Sequence, residues 1–360
     1  MIAPDSFKGS IGAAAAAAAL AGGWRAARPG DEVICVPLAD GGEGTLDVLA
    51  AAVSGARWHQ ARVTGPAGQP VDSAWLELQG GLAAVELARA SGLPLLARPD
   101  PLGAHTTGLG EVIGHALDAG ARQVMIALGG SASTDGGTGA LAALGARFLD
   151  AAGAPLPPGG GALAGLASVD LAGLRRPPDG GVSCLSDVRA PLLGPAGAAA
   201  VFGPQKGASP VQVALLEDGL SRLAGGLGGD PGAPGAGAAG GTGYGFAAAW
   251  RAQIGPGAVQ LSRLAGLGQA LAGAGLVITG EGRYDETSGT GKVAGTVFAA
   301  AAAAGVPAAL VAGQVAAAPP PGVVSAVGLA DLAGGPGPAL ADPAHWLGQA
   351  GQKLAAQVPR

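Results

Sequence analysis

The sequence contains few of the residues that mark several common protein classes. Two cysteines, Cys35 and Cys184, occur in 360 residues, so no disulfide framework is expected, and both are predicted to be buried thiols. Aromatic residues make up 3% of the chain, charged residues 12%, and the net charge is −5. Because there is no basic stripe and no interleaving of arginines with aromatic residues, nucleic acid is not expected as a partner.

Long apolar runs are also missing. No stretch of about 18 strongly apolar residues occurs, so neither a membrane span nor a membrane partner is expected. The alanine-rich segment 11–23 resembles the apolar part of a signal peptide, but Pro4 and Asp5 precede it, and alanine favours helices while being only weakly hydrophobic. We therefore predict a helix there and a cytoplasmic location.

Two nucleotide-binding signatures are only partly present. In TSGTGKVAG (Thr287 to Gly295), Glu286 stands where a P-loop needs its first glycine, and Val293 stands where it needs Ser or Thr. In GAGAAG (235–240), which formally matches the dinucleotide fingerprint, no strand pattern precedes the glycines and no acidic residue follows about 20 residues later. Neither stretch by itself predicts a nucleotide site.

Glycine is abundant and lysine is rare. The chain has 69 glycines but four lysines, and three of these, Lys8, Lys206 and Lys292, adjoin a glycine. A flexible ammonium group beside closely approaching backbone suits an anion site. The alternative is that surface lysines lie beside glycine by chance in a glycine-rich chain, and composition leaves both interpretations open.

The order of elements predicts an α/β protein of two domains. At both ends of the chain, short β-branched runs alternate with alanine-rich helical stretches, a pattern typical of βαβ units and a doubly wound parallel sheet. The middle begins with a hairpin pattern that turns at Pro66 to Gln69. The simplest arrangement is a discontinuous domain of residues 1–55 and 273–360 into which a mixed α/β domain of residues 56–272 is inserted.

Five glycine-rich stretches combine acids, hydroxyls and lysines at predicted strand ends. They are APDSFKGS (3–10), PLADGGEGT (37–45), ALGGSASTDGGTGA (127–140), SDVRAPLLGP (186–195) with FGPQKGA (202–208), and TGEGRYDETSGTGK (279–292). Carboxylates in such loops would repel a phosphate unless a divalent cation lay between them, so the combination indicates Mg²⁺ with phosphate. Each stretch alone is weak, since Asp40 or Asp135 is equally suited to capping a turn.

Taken together and in order, these stretches resemble the bacterial glycerate kinase family of the first type, from residue 3 to about residue 313. GAGAAGG (235–241) is one of the matching motifs. The resemblance implies phosphorylation of D-glycerate by ATP with Mg²⁺, most often at the 2-hydroxyl. It also implies a flavodoxin-like domain that carries a second, inserted domain.

The expected roles follow from what phosphoryl transfer requires, namely positioning, charge neutralisation and a base. Asp187 is the proposed base, with Lys8 as a second catalytic group; Asp5, Ser6 and Arg283 are proposed to bind the acid. Phosphates are assigned to Gly129, Gly130, Ser131, Lys206 and Lys292. Magnesium is assigned to Asp40 with Glu43, or to Glu281 with Asp285, and the sequence does not decide between these pairs.

Alternatives remain open at this level. A kinase for another small hydroxy acid, a glycerate 3-kinase and a non-catalytic protein that binds anions or nucleotides all fit the residues. The oligomeric state is also open, and a homodimer is one of the states that the sequence allows.

Overall fold

The structure is a computed structural model that describes residues 1–289 and 291–358. Helices and both parallel and antiparallel strand pairs are present, which confirms the predicted α/β class. Within the described residues, no helix combines the length and apolar character that crossing a membrane requires.

The strands are β1 (Arg57–Thr64), β2 (Pro70–Leu78), β3 (Leu82–Glu86), β4 (Gln123–Ala127), β5 (Arg147–Leu149), β6 (Ser168–Asp170), β7 (Val182–Leu185), β8 (Gln253–Gly255), β9 (Val277–Tyr284), β10 (Ala308–Val315) and β11 (Val323–Gly328). The α-helices are α1 (Ala13–Ala27), α2 (Thr45–Ala52), α3 (Ala88–Ser91), α4 (Thr107–Asp118), α5 (Thr138–Ala143), α6 (Ala198–Phe202), α7 (Pro210–Leu227), α8 (Ala238–Trp250), α9 (Gly257–Leu264), α10 (Leu267–Leu271), α11 (Val293–Ala304), α12 (Leu329–Ala333), α13 (Pro336–Ala341) and α14 (Pro343–Gln357).

The chain forms two compact units. The first unit contains residues 1–40 and 47–54 and the chain from Pro256 onward, and the second contains residues 41–46 and 55–255. The second unit thus begins its long segment at Gly55, and the first unit resumes at Pro256, earlier in the chain than the predicted boundary near Gly273.

The first unit is built on a parallel sheet. β9, β10 and β11 pair in parallel, and single parallel bridges add Ile2 beside Ile278 and Cys35 beside Ile2. Numbered along the chain, the extended segments therefore lie in the order 2-1-3-4-5, which is the flavodoxin-like order.

Alternate residues of this sheet enter two separate cores. Ile278, Ala309 and Val311 pack with α1 and α14 on one face. Val277 and Leu310 pack with α9, α10 and α11 on the other. Helices cover both faces because successive side chains of a strand point to opposite sides, so strands buried on both faces must be apolar throughout.

The second unit contains a mixed six-stranded sheet in the order β1-β2-β3-β4-β7-β8. β1, β2 and β3 pair antiparallel, and β3, β4, β7 and β8 pair in parallel. The antiparallel start confirms the predicted hairpin, whose turn lies between Thr64 and Pro70. The parallel strands place their carboxyl ends, and the loops that follow them, along one edge of the sheet.

Two side chains differ from what their sequence context favours. Serine is a common N-cap residue, but Ser10 does not cap α1: Gly12 holds that position, and the Ser10 hydroxyl instead donates to the Phe7 carbonyl at 2.8 Å. Cys35 is exposed rather than buried, since its segment lies at the edge of the parallel sheet, whereas Cys184 on β7 is buried as expected.

Candidate functional site

Three carboxylates lie at the carboxyl ends of adjacent extended segments in the first unit. Asp40 follows the second segment, Asp5 follows the first, and Glu281 lies in the last half of β9. The Asp5 amide donates to the Gly280 carbonyl at 2.8 Å, and this bond fixes Asp5 beside β9. The sheet order 2-1-3 therefore brings together acids that are far apart in the sequence.

Burial shifts the pKa of Asp5, one of these three carboxylates. Asp5 is 8% exposed, and burial, followed by the charge of Asp40, raises the pKa of its carboxyl to about 8. The amide of Ser6 donates to Asp5 Oδ1 at 2.6 Å and opposes that rise. Burial and the charge of Asp40 therefore favour the protonated form of Asp5, in which the carboxyl can donate as well as accept a hydrogen bond.

Glu281 is the acid best suited to a cation. Its pKa is raised chiefly by burial; a hydrogen bond with Ser288 and the charge of Lys292 oppose the rise, and the charges of Asp285 and Asp40 add to it. Its Oε1 atom is buried and accepts no hydrogen bond within the described part of the chain. A buried carboxylate oxygen that lacks a donor and has acidic neighbours is stabilised by a cation, so the residues present fit a divalent ion.

The protein supplies only part of such a coordination shell. Among residues 1–289 and 291–358, no group of three or more His, Cys, Asp or Glu side chains is placed to hold a metal. Mg²⁺ sites in proteins commonly use one or two carboxylates, with waters and substrate phosphates completing the shell.

Three cationic side chains surround these acids. Lys8 Nζ lies 3.8 Å from Asp40 Oδ2, and the lysine side chain is 73% exposed. Arg283 donates from Nη1 to the side-chain oxygen of Gln314 at 2.9 Å. Lys292 stands immediately before α11, and its Nζ donates to Thr287 Oγ1 at 3.0 Å.

Asp285 organises the loop between β9 and α11. Its Oδ1 accepts from the amide and hydroxyl of Thr287, at 3.0 and 2.7 Å, and its Oδ2 lies 3.6 Å from Arg283 Nε. The hydrogen bonds from Thr287 hold the pKa of Asp285 below its usual value. The P-loop-like stretch 287–295 thus starts from an aspartate-capped turn; Thr290 within it lies outside the described residues.

One cavity of about 460 Å³ connects these groups within the first unit. Its polar lining includes most of the residues predicted to bind the acid, the metal or phosphate, namely Asp5, Ser6, Lys8, Asp40, Glu281, Arg283, Asp285 and Lys292. The remainder of the lining has two parts. One comes from the sheet and the loop after the first extended segment, namely Phe7, Ser10, Gly282, Gly313 and Gln314, and the other is apolar and comes from α12, α13 and the start of α14.

The other predicted residues lie in the second unit, in loops that pack backbone against backbone. The Gly129 amide donates to the Gly41 carbonyl at 2.9 Å, and a Cβ at Gly129 would lie 2.4 Å from the Cα of Gly42. A Cβ at Gly130 would lie 2.8 Å from Glu43 Oε1, so the Glu43 carboxylate rests against this loop. The Gly129 amide is therefore already used, contrary to its expected role in holding phosphate.

Lys206 lies beneath the same loop. The residue is 3% exposed, and its Nζ donates to the Ser133 carbonyl and to the Ser131 hydroxyl, the latter at 3.3 Å. Burial lowers the pKa of Lys206 to about 8, although the charge of Asp135 opposes this change. The lysine therefore brings a positive charge to the loop from its inner side.

Asp135 and Asp187 have different surroundings in the second unit. Asp135 is fully buried and accepts hydrogen bonds from Thr106, Gly137 and Gly139, which is the turn-capping arrangement. Asp187 is partly buried and lies two residues after the end of β7, beyond Ser186. Asp187 thus lies at the carboxyl end of a parallel strand, where ligands of such sheets bind.

Comparison with known proteins decides the family. The model of the glycerate kinase family matches residues 1–359. The chain belongs to the glycerate kinase family. A glycerate kinase from Bacillus subtilis is 42% identical over 88% of this chain and 85% of its own length, and a glycerate 2-kinase from Escherichia coli K12 is 41% identical over 81% and 79%.

Structural comparison agrees with this family. A crystal structure of a putative glycerate kinase 2 from Salmonella typhimurium LT2 covers 99% of this chain and 96% of that chain, with a TM-score of 0.81 at 37% identity. The resemblance stated from the ordered motifs is thereby confirmed, and the fold class is that of a glycerate kinase.

Sequence reasoning missed two residues of this glycerate kinase family member. Glu86, at the end of β3, is 3% exposed and accepts from the amides of Gly44 and Leu46, both at 3.1 Å, so it fixes the DGGEGT loop. Gln314, on β10, lies opposite Arg283 in the sheet register. In the sequence, an isolated acidic residue at the end of an apolar strand could have pointed to Glu86, whereas no sequence feature pointed to Gln314.

Proposed function

We propose that the protein transfers the γ-phosphoryl group of ATP to the 2-hydroxyl of D-glycerate, giving 2-phosphoglycerate and ADP. The full-length match to the glycerate kinase family carries this proposal. The relatives named glycerate kinase and glycerate 2-kinase support the acid and the hydroxyl position. The acids and cations that line one cavity supply the charge neutralisation that phosphoryl transfer requires.

The groups proposed to act on the acid are those named from the sequence. Asp187 accepts the hydroxyl proton as the new bond between the glycerate oxygen and phosphorus forms, and the bond to ADP breaks with its electron pair leaving on ADP. Lys8 or Arg283 binds the substrate carboxylate, and Asp5 and Ser6 supply hydrogen bonds beside it. Asp5 suits this task because burial and the neighbouring Asp40 raise its pKa, which favours the form that can donate a hydrogen bond.

Asp40 and Glu281 are the proposed Mg²⁺ ligands, one from each pair predicted from the sequence. Both line the same cavity, and the charge of Asp40 raises the pKa of Glu281. Asp285 is instead engaged with Thr287 and Arg283, and Glu43 does not line this cavity, since its carboxylate rests against Gly130. When bound, Mg²⁺ neutralises charge on the phosphates and orients them.

The phosphate groups are assigned to Lys206, Lys292 and the loop of Gly129, Gly130 and Ser131. Lys292 precedes α11, and a helix N-terminus favours anions, although the Gly295 amide in its first turn donates to the Ser288 carbonyl at 3.2 Å. Lys206 lies under the loop and adds a charge to it. The loop's contribution comes from residues other than Gly129, whose amide is occupied by Gly41.

A substrate panel tests the proposed reaction. Purified protein with ATP and Mg²⁺ is assayed for ADP release with D-glycerate, L-glycerate, glycolate, lactate and tartronate. We expect D-glycerate to give the highest kcat/KM. A higher value for another acid would replace the assigned substrate, and binding of acid or nucleotide without any ADP release would indicate a non-catalytic relative.

A further inference from the structure

The cavity of the first unit is larger and less polar than a small hydroxy acid requires. Its volume of about 460 Å³ lies in the range of pockets that hold drug-sized ligands, roughly 300–1,000 Å³. Glycerate has three carbon atoms, each bearing oxygen, so it offers no extended apolar surface. Part of this cavity is therefore available to a second, larger molecule.

The part of the cavity that glycerate would not fill has an apolar wall. Leu329 begins α12, Pro336 begins α13, Leu340 lies near the end of α13, and Pro343 begins α14. Leu340 is 60% exposed, so its side chain is accessible to a molecule in the cavity. A flat apolar ring placed against this wall would remove the leucine from water, which is favourable.

The same cavity also carries charged side chains. Lys292 precedes α11, and Asp40 and Glu281 suit a divalent cation, as argued above. Cations for phosphates, carboxylates for a metal and an apolar wall for a ring are the three features that a metal-bound nucleoside triphosphate requires. A free hydroxy acid would use the first two and leave the wall uncovered.

We propose that the cavity of the first unit binds the nucleotide, with the base and ribose against the wall formed by Leu329, Pro336, Leu340 and Pro343 and the phosphates directed toward Lys292. The Asp5, Ser6 and Lys8 end of the cavity is left for the acid. This inference rests on the proposed function, since it takes ATP as the phosphoryl donor.

Leu340 provides a direct test because its exposure allows substitution without disturbing a core. We expect Leu340→Ser to weaken Mg·ADP binding five- to tenfold, measured by titration calorimetry on the full chain, and to raise the KM for ATP by a similar factor. Leu340→Phe should retain or tighten binding. The KM for D-glycerate should stay within twofold of the wild-type value in both variants.

Two controls distinguish contacts with the nucleotide base from general effects of a substitution on the protein. Val324→Ser alters another exposed apolar residue of the first unit, on β11, which is 54% exposed and does not line the cavity. It should leave Mg·ADP binding unchanged. Inorganic tripolyphosphate carries the phosphates without a base, so its inhibition constant should be the same for wild type and Leu340→Ser.

The outcomes distinguish this inference from the proposed function. Equal Mg·ADP binding by wild type, Leu340→Ser and Val324→Ser would overturn the nucleotide site and leave the kinase assignment standing. A raised KM for glycerate with an unchanged KM for ATP would assign the wall to the acid and also overturn it. Failure of the wild-type protein to bind any nucleotide would remove both proposals.

Discussion

At the scale of single residues, the buried Lys206 connects stability to pH. Its pKa falls from 10.5 to about 8 in the folded protein, so the unfolded chain binds the proton more tightly. The free energy of unfolding therefore rises as the pH increases from about 8 to 10.5, by roughly 3 kcal/mol from this group. Below pH 8 the lysine is charged in both states, and its contribution is constant.

Lys206→Met removes this dependence. We expect the difference in free energy of unfolding between wild type and variant to grow in favour of the wild type across pH 8 to 10.5, measured by urea denaturation. Lys353→Met, which removes an exposed lysine on α14, is the matched control and should give a curve parallel to the wild type. Parallel curves for Lys206→Met would show that burial does not shift this lysine.

Asp187 is the residue on which the proposed chemistry depends most. Asp187→Asn retains the size of the side chain but removes the acceptor of the hydroxyl proton, so kcat should fall by about 10²- to 10⁴-fold. The KM for D-glycerate and the melting temperature should change little. Near-normal turnover would exclude Asp187 as the base.

Glu281 provides the corresponding test for the metal. Glu281→Gln keeps the shape of a buried side chain but removes a charged oxygen donor, so the Mg²⁺ concentration for half-maximal activity should rise tenfold or more. Asp118→Asn is the control, because it removes an exposed carboxylate that does not line the cavity. An unchanged Mg²⁺ requirement in Glu281→Gln would remove this residue from the ligand set.

At the scale of elements, α1 and α14 approach each other through glycines. A Cβ at Gly23 would lie 1.9 Å from the carbonyl oxygen of Gly348, whereas a Cβ at the preceding residue, Gly22, would meet nothing within 4 Å. Gly23→Ala should therefore lower the free energy of unfolding by roughly 1–3 kcal/mol through overpacking. Gly22→Ala should raise it by about 0.5–1 kcal/mol, since alanine is favoured inside helices.

These neighbouring substitutions differ only in what they contact. Urea denaturation midpoints for the two variants should therefore move in opposite directions from the wild-type value. Two shifts of the same sign and size would mean that intrinsic helix propensity, rather than the contact with α14, decides the stability at this position.

Element bounds were predictable where local and tertiary preferences agree. The alanine-rich run that ends at Ala304 reads as a helix from its sequence, and α11 (Val293–Ala304) contains it and stops where Gly305 takes a left-handed conformation. Ser10 shows the limit: its hydroxyl was suited to capping, but the turn from Phe7 to Ile11 uses it first. The choice between two satisfactory hydrogen bonds depends on the backbone path, which the sequence pattern does not fix.

At the scale of the whole molecule, the fold determines which predicted residues meet. Asp5, Asp40 and Glu281 were each predicted at a strand end, but only the sheet order places them side by side. The sequence could not choose between the two predicted metal pairs, because both lie at strand ends. The role of Glu86 was not predictable from the sequence, because its hydrogen-bond partners Gly44 and Leu46 lie some 40 residues away in the chain.

The most direct test of the central claim supplies the purified protein with ATP, Mg²⁺ and D-glycerate and passes the product to enolase without a phosphoglycerate mutase. The account predicts ADP release together with immediate enolase turnover, because only 2-phosphoglycerate is dehydrated by that enzyme. ADP release without an enolase signal would contradict phosphorylation at the 2-hydroxyl. The absence of ADP release from a folded sample would contradict the assignment as a glycerate kinase.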